Sequence, residues 1–211
     1  AGAALILAIA VPASASAPIS VSPNSASPGS FTLLDLKVPN ESATEVTTKV
    51  ELSLPTDTPF TSVRYVPVAG WTTELVRETL PAPVKVGENT ITEAVTSVTW
   101  TADPGFEMAD GQLQVFPLSL GPVPDVGSII FAADQTYSDG TVVSWAETGD
   151  DASHPAPVLY VNDAPPTGHH GDAEAEAESE TEVASGADGI ARGLGIGGLV
   201  VGAIGVAVAI T

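Results

Sequence analysis

Apolar and polar residues alternate strictly through most of this chain, and turn-forming residues break the pattern at short intervals. In "LDLKV", Leu34, Leu36 and Val38 fall on one face and Asp35 and Lys37 on the other. "KVELSL" repeats this with Val50, Leu52 and Leu54 against Lys49, Glu51 and Ser53. Successive side chains of an extended strand point to opposite faces, so a period of two specifies half-buried strands. "VTSVTW", "QLQVF", "SIIFAA", "TVVSW" and "PVLYV" continue the series, with "VPNES", "DPGF" and "YSDGT" as turns between them. No run with helical spacing of apolar residues interrupts the region from about Ile19 to Asn162. Many short strands joined by turns predict an all-β fold, an antiparallel β-sandwich of immunoglobulin-like or cupredoxin-like form. The 18 prolines suit strand edges and loops, where a missing N–H does no harm.

The two ends depart from this pattern. "ALILAIAV", Ala4 to Val11, is too short to span a bilayer and is followed by Pro12 and small residues, the outline of a secretory signal peptide. The Met and basic segment that open such a signal are missing, so the expectation is a sequence starting inside one, with residues 1–15 as signal. Cleavage after Ala17 would leave Pro18 first, a residue that signal peptidases generally reject. Cleavage after Ala15 leaves Ser16, and this is the preferred site. At the other end, "GLGIGGLVVGAIGVAVAI", Gly193 to Ile210, has 18 residues and no charge, enough to cross a hydrocarbon core as a helix. Residues 190–211 are therefore expected to form one C-terminal transmembrane helix. In lipid, the cost of unpaired backbone groups outweighs the poor helix propensity of glycine. Residues 164–189 read as an acidic stalk: Thr167 to Gly189 carries seven acids and no base, which repel and extend the chain. The β domain, residues 16–163, would then stand outside a bacterial cell membrane, held by a single-pass anchor.

Charge and residue types exclude several functions. Six Lys or Arg stand against 26 Asp or Glu, a net charge of −20, which repels nucleic acid. Without cysteine there is neither a disulfide nor a thiolate ligand. No G-x-S-x-G elbow is present, and His154, His169 and His170 lie at or beyond the last expected strand, so the chain reads as a non-enzyme. Carboxylates on alternating strand positions are ordinarily solvated faces. His169 and His170, beside Asp172, could share a metal, but two residues of an extended stalk lose much entropy in doing so. Trp71, Trp100 and Trp145 are most simply aromatic residues of a sandwich core or corner.

Val21 in "VSP", then "KVPNES", "TTKVELSLP", "VAGWT", "VTW" and "QTYSDGTVVSW", in this order and spacing, resemble the YcnI-like copper-binding domain across residues 17–162. The resemblance implies an exported, membrane-anchored protein of copper homeostasis whose partners include copper-handling envelope proteins. It also implies a Cu(II) site made of a chain-start histidine (amine plus imidazole), a glutamate oxygen and a nearby tryptophan. Carried onto this sequence, those positions are Pro18, Gln112 and Trp145. A tetragonal set of nitrogen and oxygen suits Cu(II). Proline has no side-chain donor, and an amide oxygen compensates a dication less well than a carboxylate does. Copper is thus the cofactor implied by resemblance, with two of three donors lost at the family site. The alternative is a surface module that binds another envelope protein. An exposed apolar patch beside Trp145 would favour that alternative, and a recessed polar pocket there would favour a metal or ligand.

Overall fold

The computed structural model describes residues 17–149 and 151–166. The expected signal segment, nearly all of the expected stalk (with His169 and His170) and the expected transmembrane helix lie outside the described residues. Among those described there are eleven strands and no helix.

The strands are β1 (Ser20–Ser22), β2 (Thr32–Pro39), β3 (Thr47–Ser53), β4 (Ser62–Tyr65), β5 (Trp71–Val86), β6 (Asn89–Ala102), β7 (Leu113–Gly121), β8 (Ser128–Ile130), β9 (Ala132–Tyr137), β10 (Val142–Trp145) and β11 (Val158–Tyr160). One sheet runs β1-β2-β7-β4, a second runs β10-β9-β3-β6-β5, and β11-β8 forms a two-stranded ribbon. Every strand pairing is antiparallel. The all-β sandwich expected from the alternation is present.

The period of two sets which face is buried. Leu34, Leu36 and Val38 of β2 and Val50 and Leu52 of β3 are wholly buried, while Asp35, Lys37 and Glu51 between them are partly solvated. Phe116, Leu118 and Leu120 of β7 and Val98 and Trp100 of β6 complete the two inner faces. Phe116 ties this core together. It stacks on Trp100 at 4.8 Å between ring centroids and meets Trp71 edge-on at 4.9 Å. Such aromatic pairs add roughly 0.5–1.5 kcal/mol each beyond their buried area.

Prolines mostly keep to edges: Pro81 and Pro83 lie in β5, the outer strand of its sheet. Pro39, at the end of β2, and Pro117 are exceptions, since β2 and β7 each have neighbours on both sides. N–H and C=O of one strand residue face the same neighbour, and the Pro117 carbonyl accepts from the Val66 N–H, on the β4 side. The β4–β7 register ends at Tyr65 and Leu118. The missing N–H therefore falls where β4 has run out and leaves no acceptor of that strand unpaired.

Candidate metal centre

Near the C-terminal end of β2, the segment from Asn40 to Val46 turns the chain back into β3. Buried Asn40 builds this turn. Its Nδ2 donates to the carbonyls of Glu45 (3.0 Å) and Met108 (2.6 Å), and its Oδ1 accepts from the Ser42 N–H (2.8 Å). The Ser42 hydroxyl accepts from the Glu45 N–H at 3.0 Å. Buried Gln135 of β9 donates to Thr47 Oγ1 at 2.8 Å within its own sheet and to the Pro39 carbonyl of the other sheet at 3.0 Å. Polar groups buried in this way lock the pole of the sandwich because a broken bond leaves an unsatisfied group. Glu41 stands on this braced turn, between Asn40 and Ser42.

Glu41 lines a hollow of about 430 Å³ together with Glu45, Tyr137, Asp139, Trp145 and His154. Ser42, Thr44, Thr141 and Val143 fill the rest of its wall. Three carboxylates and no Lys or Arg line it, so the hollow favours a cation. The Asp139 carboxylate accepts from the N–H and the hydroxyl of Thr141, both at 2.8 Å, which holds it below its ordinary range. Burial, and then the charge of Glu41, raise the Tyr137 hydroxyl above its ordinary value. Glu45 accepts from the Ser138 hydroxyl at 2.6 Å. Trp145 is 4 % exposed, and its indole N–H has no partner among the described residues. Another hollow, of about 440 Å³, lies at the opposite end of β2, by Gly29 and the tip of the β5–β6 hairpin. Its wall is largely Val and Pro, with Asp57, Asp125 and Lys85 among them and no histidine or tryptophan.

A loop from Ala146 to Ser153 brings His154 onto Trp145, ring centroids 5.1 Å apart at an interplanar angle of 84°. Glu147 closes that loop. Its N–H donates to the His154 carbonyl (3.1 Å), and its carbonyl accepts from the Ala156 N–H (2.9 Å). Its Oε2 accepts from the N–H groups of Ser153 (2.6 Å) and His154 (3.1 Å), and Oε1 stands 3.8 Å from His154 Nδ1. The backbone N–H of His154, followed by that of Ser153, keeps the Glu147 carboxyl below its usual range.

The three positions singled out from the sequence are placed apart. Trp145 is in the hollow. Pro18 is exposed, one residue after Ala17, whose backbone nitrogen donates to the Glu41 carboxylate. Gln112 is exposed in a turn from Ala109 to Gln112, where its Oε1 accepts from the Ala109 N–H at 2.8 Å and its backbone carbonyl accepts from the Asn40 N–H at 2.9 Å. It does not line the hollow. The copper set implied by resemblance therefore does not fit this chain as a unit: one position lacks a donor atom, and a second has its donor atom engaged elsewhere. Among the described residues, no group of three or more His, Cys, Asp or Glu side chains converges to hold a metal. Sequence reasoning passed over Glu41 and His154. The first has a signal in the Asx-turn grammar of "PNES". The second has none, because only the loop's closure brings it to Trp145.

These features define a class: a two-sheet antiparallel sandwich with a carboxylate-rich recess at one pole and a tryptophan in its wall. The family described as "Domain of unknown function (DUF1775)" matches residues 19–161. The chain belongs to that family, the YcnI-like family that its motifs resemble. "Copper-binding protein CutI" of Bacillus subtilis (strain 168) is 33% identical over 153 residues, which cover 72% of this chain and 66% of that protein. An uncharacterized Nocardia farcinica protein, whose crystal structure reveals an immunoglobulin-like fold, is 37% identical with a TM-score of 0.54. That match covers 68% of this chain and 96% of the other.

Proposed function

We propose that this chain is an exported copper-associated protein, held at the membrane by its C-terminal apolar run, which binds the ion at the Trp145 hollow rather than transforming a substrate. Copper comes from the relationship to CutI. The observation that carries the reading is the character of the recess: it is polar and rich in carboxylates, not an exposed apolar patch, and the segment entering at Ala17 runs to its Glu41. That favours an ion over a docked envelope protein. The family ligand set is degenerate here, since Pro18 has no side-chain donor and Gln112 spends its oxygen on a turn. Binding through those two positions is lost, and copper must be held by other donors.

The test is a Cu(II) titration of the exported, processed protein by calorimetry, set beside Pro18→His and Gln112→Ala. Gln112→Ala leaves affinity within about twofold. Pro18→His, processed after Ala17, regains a chelating amine and imidazole and tightens binding by at least about tenfold, or 1.4 kcal/mol. A loss of more than tenfold on Gln112→Ala contradicts the reading, as does a wild-type chain that binds no stoichiometric copper.

A further inference from the structure

We propose that the outward face of the four-stranded sheet is a self-docking surface, on which a second copy of this chain packs about a two-fold axis parallel to the strands. This goes beyond the copper reading and does not depend on it, since none of the residues involved lines the Trp145 hollow.

The face breaks the rule that shapes the rest of the sandwich. A sheet with one side in water ordinarily turns polar residues outward. The five-stranded sheet follows this: one row across it reads Glu74, Thr99, Glu51, Asp134, Ser144. On the four-stranded sheet, Leu34, Leu36 and Val38 of β2 and Phe116, Leu118 and Leu120 of β7 point inward and are wholly buried. The positions between them point outward, and they include Leu33 on β2 and Leu113, Val115 and Pro117 on β7. Phe31 extends the stripe, since a Cβ added at Gly121 would lie 2.5 Å from its ring. Val66 widens it, its N–H donating to the Pro117 carbonyl at 3.0 Å. Phe31, Leu33 and Leu113 are 65%, 57% and 58% exposed. Single apolar residues are normal on a surface, but a contiguous stripe as long as β7, about 27 Å, marks an interaction surface.

The charges choose the partner. The chain has 26 acids against six bases, so two copies repel through most of their surfaces. On this face Lys37 and Arg64 stand against Asp35, and bases outnumber acids. Asp35 flanks the stripe on the β2 side and Arg64 on the β4 side. Asp35 pairs with Pro117 and Arg64 with Ser119, so the two stand two residues apart along β7, about 7 Å. A two-fold parallel to the strands lays the β2 side of one copy on the β4 side of the other. Asp35 then faces Arg64 of the second copy across a gap that an arginine side chain spans, and symmetry makes the pair twice. Packed sheets keep their strands roughly aligned, as this arrangement needs. Ser20 and Ser22 of β1 supply a polar rim. The stripe is smaller than a permanent interface, so the pair is weak and reversible, with a midpoint in the micromolar range.

The experiment follows the mass of the exported, processed protein in detergent micelles by sedimentation velocity, from about 1 to 100 µM. Wild type passes from monomer to dimer. Leu33→Glu weakens the dimer at least about tenfold and leaves the melting temperature unchanged, because Leu33 is exposed. Arg64→Glu and Asp35→Arg, each alone, weaken it at least about tenfold by setting like charges across the two-fold. Mixed in equal amounts, these two variants place opposite charges at both contacts and dimerise within about threefold of wild type. Association through any other surface, the C-terminal apolar run included, does not show this complementation. Dimers indifferent to Leu33→Glu, or a mixture no tighter than either variant alone, overturn the proposal. So does a wild type that stays monomeric throughout. A fall in melting temperature on Leu33→Glu would then assign the stripe to a segment of this same chain, and no fall would leave it to a foreign partner.

Discussion

Asn40→Ala is the most informative perturbation of the architecture that presents Glu41. The Asn40 side chain makes three hydrogen bonds, donating to the Glu45 and Met108 carbonyls and accepting from the Ser42 N–H. The Met108 carbonyl retains a bond from the Thr47 N–H at 2.8 Å, so it is not orphaned by the substitution. The loss therefore lies near the net value of about 1 kcal/mol per bond, or about 3 kcal/mol in all. For a domain of this size that lowers the melting temperature by roughly 6–12 °C. The assay is thermal unfolding followed by circular dichroism, with amide hydrogen exchange across residues 41–46. Exchange there accelerates more than in β2 or β7, because the turn loses its brace while the ladders keep theirs. Asn40→Asp is no milder at neutral pH, since it sets a carboxylate oxygen against the two carbonyls that Nδ2 served. A melting temperature within 2 °C of wild type for Asn40→Ala would refute this account of how Glu41 is held.

Further predictions follow from the core, the turns and the charges. Phe116→Ala removes the ring shared by Trp71 and Trp100 and costs about 3–5 kcal/mol in urea unfolding, whereas less than 1.5 kcal/mol would mean that the aromatic cluster does not organise the core. Gly70 has φ +76°, and an added Cβ would lie 2.2 Å from the Phe106 ring, so Gly70→Ala costs about 1–2 kcal/mol by the same assay. Asp139→Asn tests the lowered carboxyl. A group whose folded-state pKa is depressed stabilises above its unfolded pKa of about 3.9 and loses that contribution as pH falls through the folded value. The variant should melt below wild type at pH 6, with a smaller gap at pH 2. An equal gap at both pH values would assign the effect to something other than ionisation.

The strands could be read wherever one face is buried. Leu34, Leu36 and Val38, and Val50, Leu52 and Leu54, alternate because water lies on one side of each sheet and the core on the other. Trp71 and Trp100, expected as core or corner aromatics, are core. The length of the β5–β6 hairpin was not legible. Most of "WTTELVRETLPAPVKV" is solvated on both faces, so burial imposes no alternation, and Pro81 and Pro83 fall where the pairing with β6 is interrupted between Thr79 and Val84 of an otherwise continuous edge strand. The hollow was half legible. Trp145 ends a strand with the right period, whereas His154 reaches it through loop closure at Glu147, a tertiary contact without local signature. Gln112 shows the converse. Its place in the motif order suggested a ligand position, and the turn at Ala109 occupies its oxygen.

The central claim is that this sandwich handles copper at the Trp145 hollow with donors other than those of the family set. An anomalous difference map from crystals of the chain grown with Cu(II) tests it most directly. The account predicts one strong peak in the hollow beside the Trp145 ring and remote from Gln112. A peak bonded to Gln112, or a fully occupied copper elsewhere with the hollow left to solvent, would contradict it.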